Sequence, residues 1–192
     1  MIADSQRSDG VAEAATKTGA VLGLPAKTVR LTDHDSVWPE LFRREEALLR
    51  QVAGGVLLSV QHIGSSCIPG LKAKPIIDIL GGVETLAQGQ ELALPLRHAG
   101  YHYLGGHLVP EHHVYGKGDN RTHLLHIVEY NGAAWRRVIA FRDILLKYPD
   151  VAARYETLKI GLSRQFPDDR PAYGEAKTAH IDRILAEFGP AL

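Results

Sequence analysis

The sequence predicts a single α/β (α+β) domain with a helical C-terminal part, and three observations support this fold class. The chain has 192 residues, which is long enough for one domain to bury a core without disulfides or a structural metal. Two short apolar runs in the first half, separated by a turn-rich link, are typical of neighbouring strands. From Trp135 onward, apolar residues recur at helical spacing.

The first predicted elements are a short strand, a helix and a second strand. Residues 28–31 favour the short strand. The helix begins at Trp38 and ends at the glycine pair Gly54-Gly55, and a proline near its start agrees with a helix N-terminus. Residues 56–63 are rich in β-branched residues and leucine, so they are predicted to form the second strand.

The rest of the chain continues with a turn-rich segment at residues 64–70. After it we predict a strand at 75–80, a helix at about 85–98, strands near 113–117 and 122–130, and helices from residue 135, over 151–165 and over 173–188.

The N-terminal residues 1–26 lack apolar periodicity, so we interpret them as a mobile arm before a domain that spans residues 27–192. No run is long enough to cross a bilayer, and the first 20 residues do not resemble a signal peptide. The lone Cys67 suits a reducing compartment. These features together predict a cytoplasmic protein.

The charge balance bears on the partners. The chain has 22 basic and 22 acidic residues, so it has no net field that would attract nucleic acid or an anionic membrane. We therefore expect a small-molecule substrate, with neither a polymeric nucleic acid nor a membrane as partner. Ten histidines are present, which draws attention to metal or proton chemistry.

One constellation of residues carries a specific chemical prediction. The strand that ends at residue 63 is followed by Gly64, Ser65 and Ser66, and the next strand bears Asp78. Backbone N–H groups and a hydroxyl at such a turn can hold phosphate oxygens, while a carboxylate on the adjacent strand can hold a divalent ion that bridges them.

The link between these two strands adds two cations to the predicted site. Lys72 and Lys74 follow the Pro69-Gly70 turn and could lie against phosphate charge. The neighbouring Cys67 has no evident base beside it, so it is not predicted to be a nucleophile.

Residues 62–79 read His-Ile-Gly-Ser-Ser-Cys-Ile-Pro-Gly-Leu-Lys-Ala-Lys-Pro-Ile-Ile-Asp-Ile, and this stretch resembles the signature block of the GrpB-like family. Further matches are Trp38 with Phe42, Gly100-Tyr101, Leu125-His126-Ile127, Phe141-Arg142-Asp143, and Tyr155 with Leu158-Lys159. The resemblance covers about residues 28–188. It implies the nucleotidyltransferase superfamily fold, a mixed sheet flanked by helices, in which a Gly-Ser turn and carboxylates serve a nucleotide and a metal.

The sequence departs from the superfamily pattern at Leu80. Because strand side chains alternate, Leu80 shares a face with Asp78 and occupies the place of a second metal-binding carboxylate. His126 is expected to stand where a third carboxylate would be, and His62 is a further candidate ligand. Asp78 alone suits Mg or Mn with phosphate oxygens, whereas imidazole ligands would favour Mn, Zn or another transition metal.

Each of these residues also has a structural interpretation. Asp78 could pair with Lys74 or Arg142 without any ligand. His62 and His126 could be buried, hydrogen-bonded histidines. Arg142 could bind a carboxylate that fastens a helix to the sheet, or it could bind substrate.

Three functions remain open at this point. The first is an enzyme that transfers a nucleotidyl or phosphoryl group from ATP or another nucleoside triphosphate to a small molecule, with Asp78 and His126 as catalytic residues. The second is a metal-dependent enzyme on the same fold that uses Asp and His ligands without a nucleotide. The third is a binding module that holds a phosphorylated ligand without reaction, which the apolar Leu80 would favour.

Overall fold

The computed structural model describes residues 22–106 and 111–188. Its strands are β1 (Ser59–Ile63), β2 (Ile77–Val83), β3 (Tyr101–Gly105), β4 (His113–Lys117) and β5 (His123–Glu129). Its helices are α1 (Trp38–Ala53), α2 (Leu86–Glu91), α3 (Ala93–His98), α4 (Ala133–Lys147), α5 (Pro149–Gln165) and α6 (Arg170–Phe188), and a single 3-10 turn covers Ser65–Cys67.

The five strands form one mixed sheet in the order β1-β2-β5-β4-β3. β2 and β5 are parallel neighbours, and the other three pairs are antiparallel. In the register of the two central strands, Asp78 lies opposite Leu124 and Leu80 lies opposite His126. The predicted α/β class and the mixed sheet that the family resemblance implied are both confirmed.

Apolar side chains cover the two faces of the sheet differently. On one face, Ile77, Ile79 and Leu125 pack with Trp38 and Leu49 of α1 in the largest hydrophobic cluster. On the other face, Leu80 and Val128 pack against Trp135 of α4. Because side chains alternate along a strand, Asp78 points to the same face as Leu80, toward the C-terminal helices.

The C-terminal helices have a hydrophobic cluster of their own. Ile144 of α4, Val151 and Tyr155 of α5 and Ile184 of α6 pack together with Ile68 from the loop that links β1 to β2. This packing brings α5 and α6 against the turn that follows β1. The predicted helical C-terminal part is confirmed.

Several predicted elements differ in detail. Residues 28–31 form no strand, and the nearby pairing is a single bridge between Thr32 and Ala73. The predicted helix at 85–98 is two short helices that join at Leu92. Strand β3 was not predicted, because its five residues carry no clear alternation of apolar and polar side chains.

The predicted N-terminal arm lies mostly outside the described residues, which begin at residue 22. Of the remainder, Leu24 is buried and the backbone N–H of Gly23 donates to the carbonyl of Pro75 at 2.7 Å. The domain boundaries stay a prediction. No helix in the described ranges is long and apolar enough to cross a membrane.

Candidate functional site

The site begins at the turn where β1 ends. Gly64 follows Ile63 and has a φ of 69° and a ψ of −170°, a backbone conformation that essentially only glycine adopts. A Cβ placed on Gly64 would lie 2.6 Å from Oδ2 of Asp78. The turn therefore passes directly against the Asp78 carboxylate, and a side chain at position 64 would push the two apart.

Beside this turn is a cavity of about 80 Å³. Its wall includes Gly64, Ser65, Lys74 and Asp78, all from the segment that carries the family resemblance. Helices α5 and α6 complete the wall with four further side chains, Tyr155, Lys159, Tyr173 and Lys177. Three lysines and one carboxylate thus line a single small cavity.

Lys159 is held in a fixed position in this wall. Its Nζ donates to Oγ of Ser65 at 3.0 Å and also to the backbone carbonyl of Lys72. The same Nζ lies 5.2 Å from the centre of the Tyr155 ring. Burial lowers the pKa of Lys159 to about 8, the charge of Glu156 opposes this shift, and the positive charge of Lys74 adds to it. The ammonium is therefore anchored at the Gly-Ser turn.

Lys74 and Lys177 both lie near the ring of Tyr173. Their Nζ atoms lie 5.9 Å and 4.4 Å from the ring centre of Tyr173. Neither ammonium makes a hydrogen bond or an ion pair within 4.0 Å to any residue that the structure describes. Burial lowers the pKa of both lysines, that of Lys177 to about 7.

Asp78 is the one carboxylate among these cations. Burial raises its pKa, while Lys74, Lys177, Arg170 and Lys159 oppose the rise. Arg170 lies close enough to take part in this balance, and its guanidinium also donates to the carbonyls of Pro25 and Thr28. Since positive groups outnumber the single carboxylate, the cavity is suited to an anion.

Of the other predicted phosphate-binding residues, none lines the cavity with its side chain. Ser66 is buried, and its Oγ lies 3.1 Å from Nε2 of His62. The ammonium of Lys72 pairs with Asp33. Arg142 donates to Oε1 of Gln61 at 3.0 Å and to Asp143 at 2.7 Å, which agrees with the interpretation that it fastens α4 to the sheet.

The predicted metal ligands Asp78, His126 and His62 are not assembled into one group. His62 lies opposite Ile79, whereas Asp78 lies opposite Ile63, so the pleat points His62 to the other face of the sheet. There its ring stacks on Phe42 at 4.7 Å. In the described ranges, no group of three or more His, Cys, Asp and Glu side chains could hold a metal ion.

His126 points to the same face as Asp78 but has a partner of its own. Its Nδ1 lies 3.2 Å from Nδ1 of His112, so one ring donates to the other. Burial lowers the pKa of His126 to about 4 and that of His112 to about 3. Both rings are therefore neutral at physiological pH, and their pairing agrees with the interpretation of buried, hydrogen-bonded histidines. The metal roles stay a prediction.

Two lysines and two tyrosines of the cavity were not among the predicted site residues. They form two pairs with the same spacing, Tyr155 with Lys159 and Tyr173 with Lys177. Residues four apart lie on one face of a helix, so each pair reaches the cavity together. The repeated Tyr-x-x-x-Lys spacing on two adjacent helices is the signal that could have identified them.

The comparisons with known proteins show the family of the chain. The model of the family described as GrpB protein matches residues 28–187. The glutamate-rich protein GrpB of Alkalihalophilus pseudofirmus is 38% identical over 174 residues, which cover 88% of this chain and 100% of that protein. A solved structure, the conserved protein GrpB from Enterococcus faecalis, has a TM-score of 0.74 and 35% identity, and the match covers 82% of this chain and 96% of that one.

A shorter similarity involves a protein with another name. A dephospho-CoA kinase of Mycolicibacterium paratuberculosis is 42% identical over 76 residues, which cover 38% of this chain and 19% of the kinase. So small a share of that protein shows nothing of its activity in this chain. The family match and the relatives of full length establish that the chain belongs to the GrpB family.

Proposed function

We propose that this protein binds a phosphorylated small molecule and holds its phosphate in the cavity between the Gly64-Ser65 turn and helices α5 and α6. The observation that carries the proposal is the convergence of Lys74, Lys159 and Lys177 on a space that contains only one carboxylate. Burying like charges together is unfavourable unless an anion joins them or one of the amines loses its proton. A phosphate supplies up to two negative charges and several acceptor oxygens.

The contacts within the cavity indicate how Lys159, Ser65 and Lys74 would share the binding of a phosphate. Lys159 and Ser65 are already joined at 3.0 Å, so they offer two donors beside the glycine turn. Lys74 approaches from the loop before β2, which the bridge between Thr32 and Ala73 holds in place. These three residues can donate to different oxygens of one phosphate group.

A nucleoside triphosphate such as ATP is the ligand class that we propose, and transfer of a nucleotidyl or phosphoryl group to a small molecule is the proposed reaction. Two facts support a nucleotide. The family resemblance implies a nucleotidyltransferase fold, and a dephospho-CoA kinase contains a stretch similar to this chain. Asp78 is the proposed catalytic carboxylate, because it lies against the turn that would hold the phosphate.

A divalent cation is proposed only together with the phosphate. Asp78 offers one carboxylate, and the surrounding ammonium groups repel a bare cation. Mg²⁺ is commonly bound through one or two carboxylates plus substrate phosphates, so Asp78 fits that role once a phosphate has neutralised the lysines. The metal would supply charge neutralisation between phosphate oxygens.

The two alternatives receive different support. An enzyme that uses Asp78 and His126 without a nucleotide has Nε2 of His126 to offer as a ligand, because Nδ1 lies 3.2 Å from Nδ1 of His112. A binding module without turnover requires only the cavity, and the fully buried Leu80 beside Asp78 leaves no second carboxylate there. ATP binding without consumption, in the presence of Mg²⁺ or Mn²⁺ and candidate acceptors, would favour the binding module over the transferase.

The test is isothermal titration calorimetry of ATP and of inorganic phosphate with the wild-type protein and two variants. Lys159→Met should weaken binding of both ligands roughly 10- to 100-fold, because a hydrogen bond to a charged group contributes about 1.5–3 kcal/mol. Arg50→Met is the matched control, since Arg50 is an exposed cation on α1, across the sheet from the cavity. Equal affinities for all three proteins would contradict the proposal.

A further inference from the structure

The amine of Lys177 differs from that of Lys159 in its contacts. Lys159 is fixed by two acceptors, Ser65 Oγ and the Lys72 carbonyl. Lys177 has no such acceptor among the described residues and lies 4.4 Å from the centre of the Tyr173 ring. A protonated amine has three N–H donors that need acceptors when they leave water. The surroundings of Lys177 therefore fit a neutral amine.

The neighbouring lysines also favour the neutral form of Lys177. It faces Lys74 from the loop before β2, Asp78 from β2 and Lys159 from α5, with Tyr173 one turn away on its own helix. Burial is the main cause that lowers the pKa of Lys177 to about 7, Lys74 and Lys159 lower it further, and Asp78 opposes them. A large share of Lys177 is therefore unprotonated at neutral pH, against roughly 0.04% for an ordinary lysine.

We propose that Lys177 is a nucleophile that forms an imine with the carbonyl carbon of a phosphorylated aldehyde or ketone bound in the cavity. Amines that are desolvated and placed next to another cation are typical imine-forming lysines. The inference rests on the proposed function in one respect, since Lys159, Lys74 and Ser65 hold the phosphate of the same ligand. It requires that a small molecule with both a phosphate and a carbonyl group can occupy the phosphate site in place of the nucleotide.

Imine formation requires only the amine of Lys177, the carbonyl group of the ligand and a proton donor in the cavity. The lone pair of Nζ forms the N–C bond, and the π electrons of the carbonyl move to its oxygen, which takes a proton. Loss of a proton from nitrogen gives the carbinolamine, whose hydroxyl takes a second proton and leaves as water while the nitrogen lone pair forms the C=N bond. Loss of the remaining N–H proton from this iminium returns the second proton and gives the imine. Asp78 lines the same cavity, and burial raises its pKa, so its carboxyl can deliver a proton to that oxygen. No oxidant or reductant is required.

The size of the cavity limits the ligand. A space of about 80 Å³ accommodates a phosphate with a short carbon chain, and any larger part of the ligand must extend toward solvent. Glycolaldehyde phosphate, with two carbons, is therefore a suitable probe. Plain glycolaldehyde has the same carbonyl without the anchor.

The experiment reduces the imine in place and identifies the labelled residue. The purified full-length protein is treated with glycolaldehyde phosphate and sodium cyanoborohydride, and peptides are mapped by mass spectrometry over a range of pH values. We expect Lys177 to be labelled before exposed Lys27, with a rate that reaches half its maximum near pH 7. Excess inorganic phosphate should slow the labelling of Lys177 and leave that of Lys27 unchanged.

A variant and a direct binding measurement separate this inference from the proposed function. Lys159→Met should reduce labelling by glycolaldehyde phosphate at least tenfold more than it changes labelling by plain glycolaldehyde, because loss of the Lys159 charge affects the Lys177 amine with both aldehydes and the phosphate anchor with only one. Phosphate binding by calorimetry together with even labelling of all lysines would overturn the imine and spare the proposed function. Selective labelling of Lys177 by both aldehydes without phosphate binding would refute the phosphate anchor and thus the inference as stated. The wild-type comparison remains decisive if the variant does not fold.

Discussion

Replacing Gly64 with alanine tests whether the contact between the turn and the Asp78 carboxylate is required by the fold. Gly64 has a φ of 69°, where a residue with a Cβ is strained by about 1–3 kcal/mol. The new methyl group would also lie 2.6 Å from Oδ2 of Asp78, so that the carboxylate or the turn must move. We expect Gly64→Ala to lower the free energy of unfolding by about 2–4 kcal/mol.

The assay is urea unfolding at pH 7, combined with titration of ATP into the folded variant. Gly161→Ala is the matched control, because Gly161 lies inside α5 and a Cβ there meets nothing within 4 Å. That control should be more stable than the wild type by up to about 1 kcal/mol, since alanine favours a helix over glycine. A Gly64→Ala variant with wild-type stability and ATP affinity would refute the reasoning.

Three further predictions concern groups outside the cavity wall. Glu45→Gln should destabilise the protein by roughly 2–4 kcal/mol in urea unfolding, because buried Glu45 accepts from Lys117 at 2.7 and 2.8 Å and from Tyr101 at 2.9 Å, and the change leaves Lys117 without its counter-charge. Glu46→Gln is the control, because the carboxylate of half-buried Glu46 pairs with Arg50 on the same helix. Burial holds the pKa of His62, His123 and His126 at about 4, below the unfolded value of about 6.5, so the free energy of unfolding should be highest above about pH 6.5 and fall toward pH 4. His126→Gln should reduce that pH dependence. Unchanged stability of the wild type between pH 7 and 5 would contradict this prediction. Burial raises the pKa of Cys67 to about 12 and its thiol donates to the Gly64 carbonyl at 3.0 Å, so a thiol reagent at pH 8 should react slowly with the native protein and rapidly after unfolding; fast native reaction would show that the thiol is accessible.

The sequence predicts the part of the site that is contiguous in the chain. Gly64, Ser65, Lys74 and Asp78 lie within 15 residues of one another, and a turn between two neighbouring strands is a local pattern. Alternation along β2 also predicts that Leu80 shares the face of Asp78, and the structure has both on the side of the C-terminal helices. Local spacing is sufficient for these statements.

The remainder of the site depends on contacts between distant segments. Lys159 and Lys177 reach the cavity only because α5 and α6 pack on Ile68 and Leu71 after the turn, and no local pattern gives the direction of that packing. The same limit explains His62. Its position before the turn suggested a ligand, whereas the strand register turns its side chain toward Phe42.

For the fold, too, elements with a clear local pattern were predicted and the others were not. Helix α1 was predicted because one strong periodic face runs from Trp38 to the glycine pair. Strand β3 at the sheet edge pairs only with β4 and carries exposed side chains at His102 and Tyr103, so its composition resembles a loop. The helices α2 and α3 were predicted as one helix with uncertain limits, because Gly89 and Pro95 lie within it. The break at Leu92 comes three residues before Pro95, which has no N–H to donate to the carbonyl of Glu91.

The central claim is that the cavity binds the phosphate of a small molecule, and a crystal structure with a non-hydrolysable ATP analogue and Mg²⁺ tests it most directly. The account predicts a phosphate group between the Gly64-Ser65 turn and the two C-terminal helices, with oxygens about 2.7–3.2 Å from Lys159 Nζ and from Ser65. The claim would be contradicted by an analogue that binds elsewhere at full occupancy while the three lysine side chains keep the positions they have without a ligand.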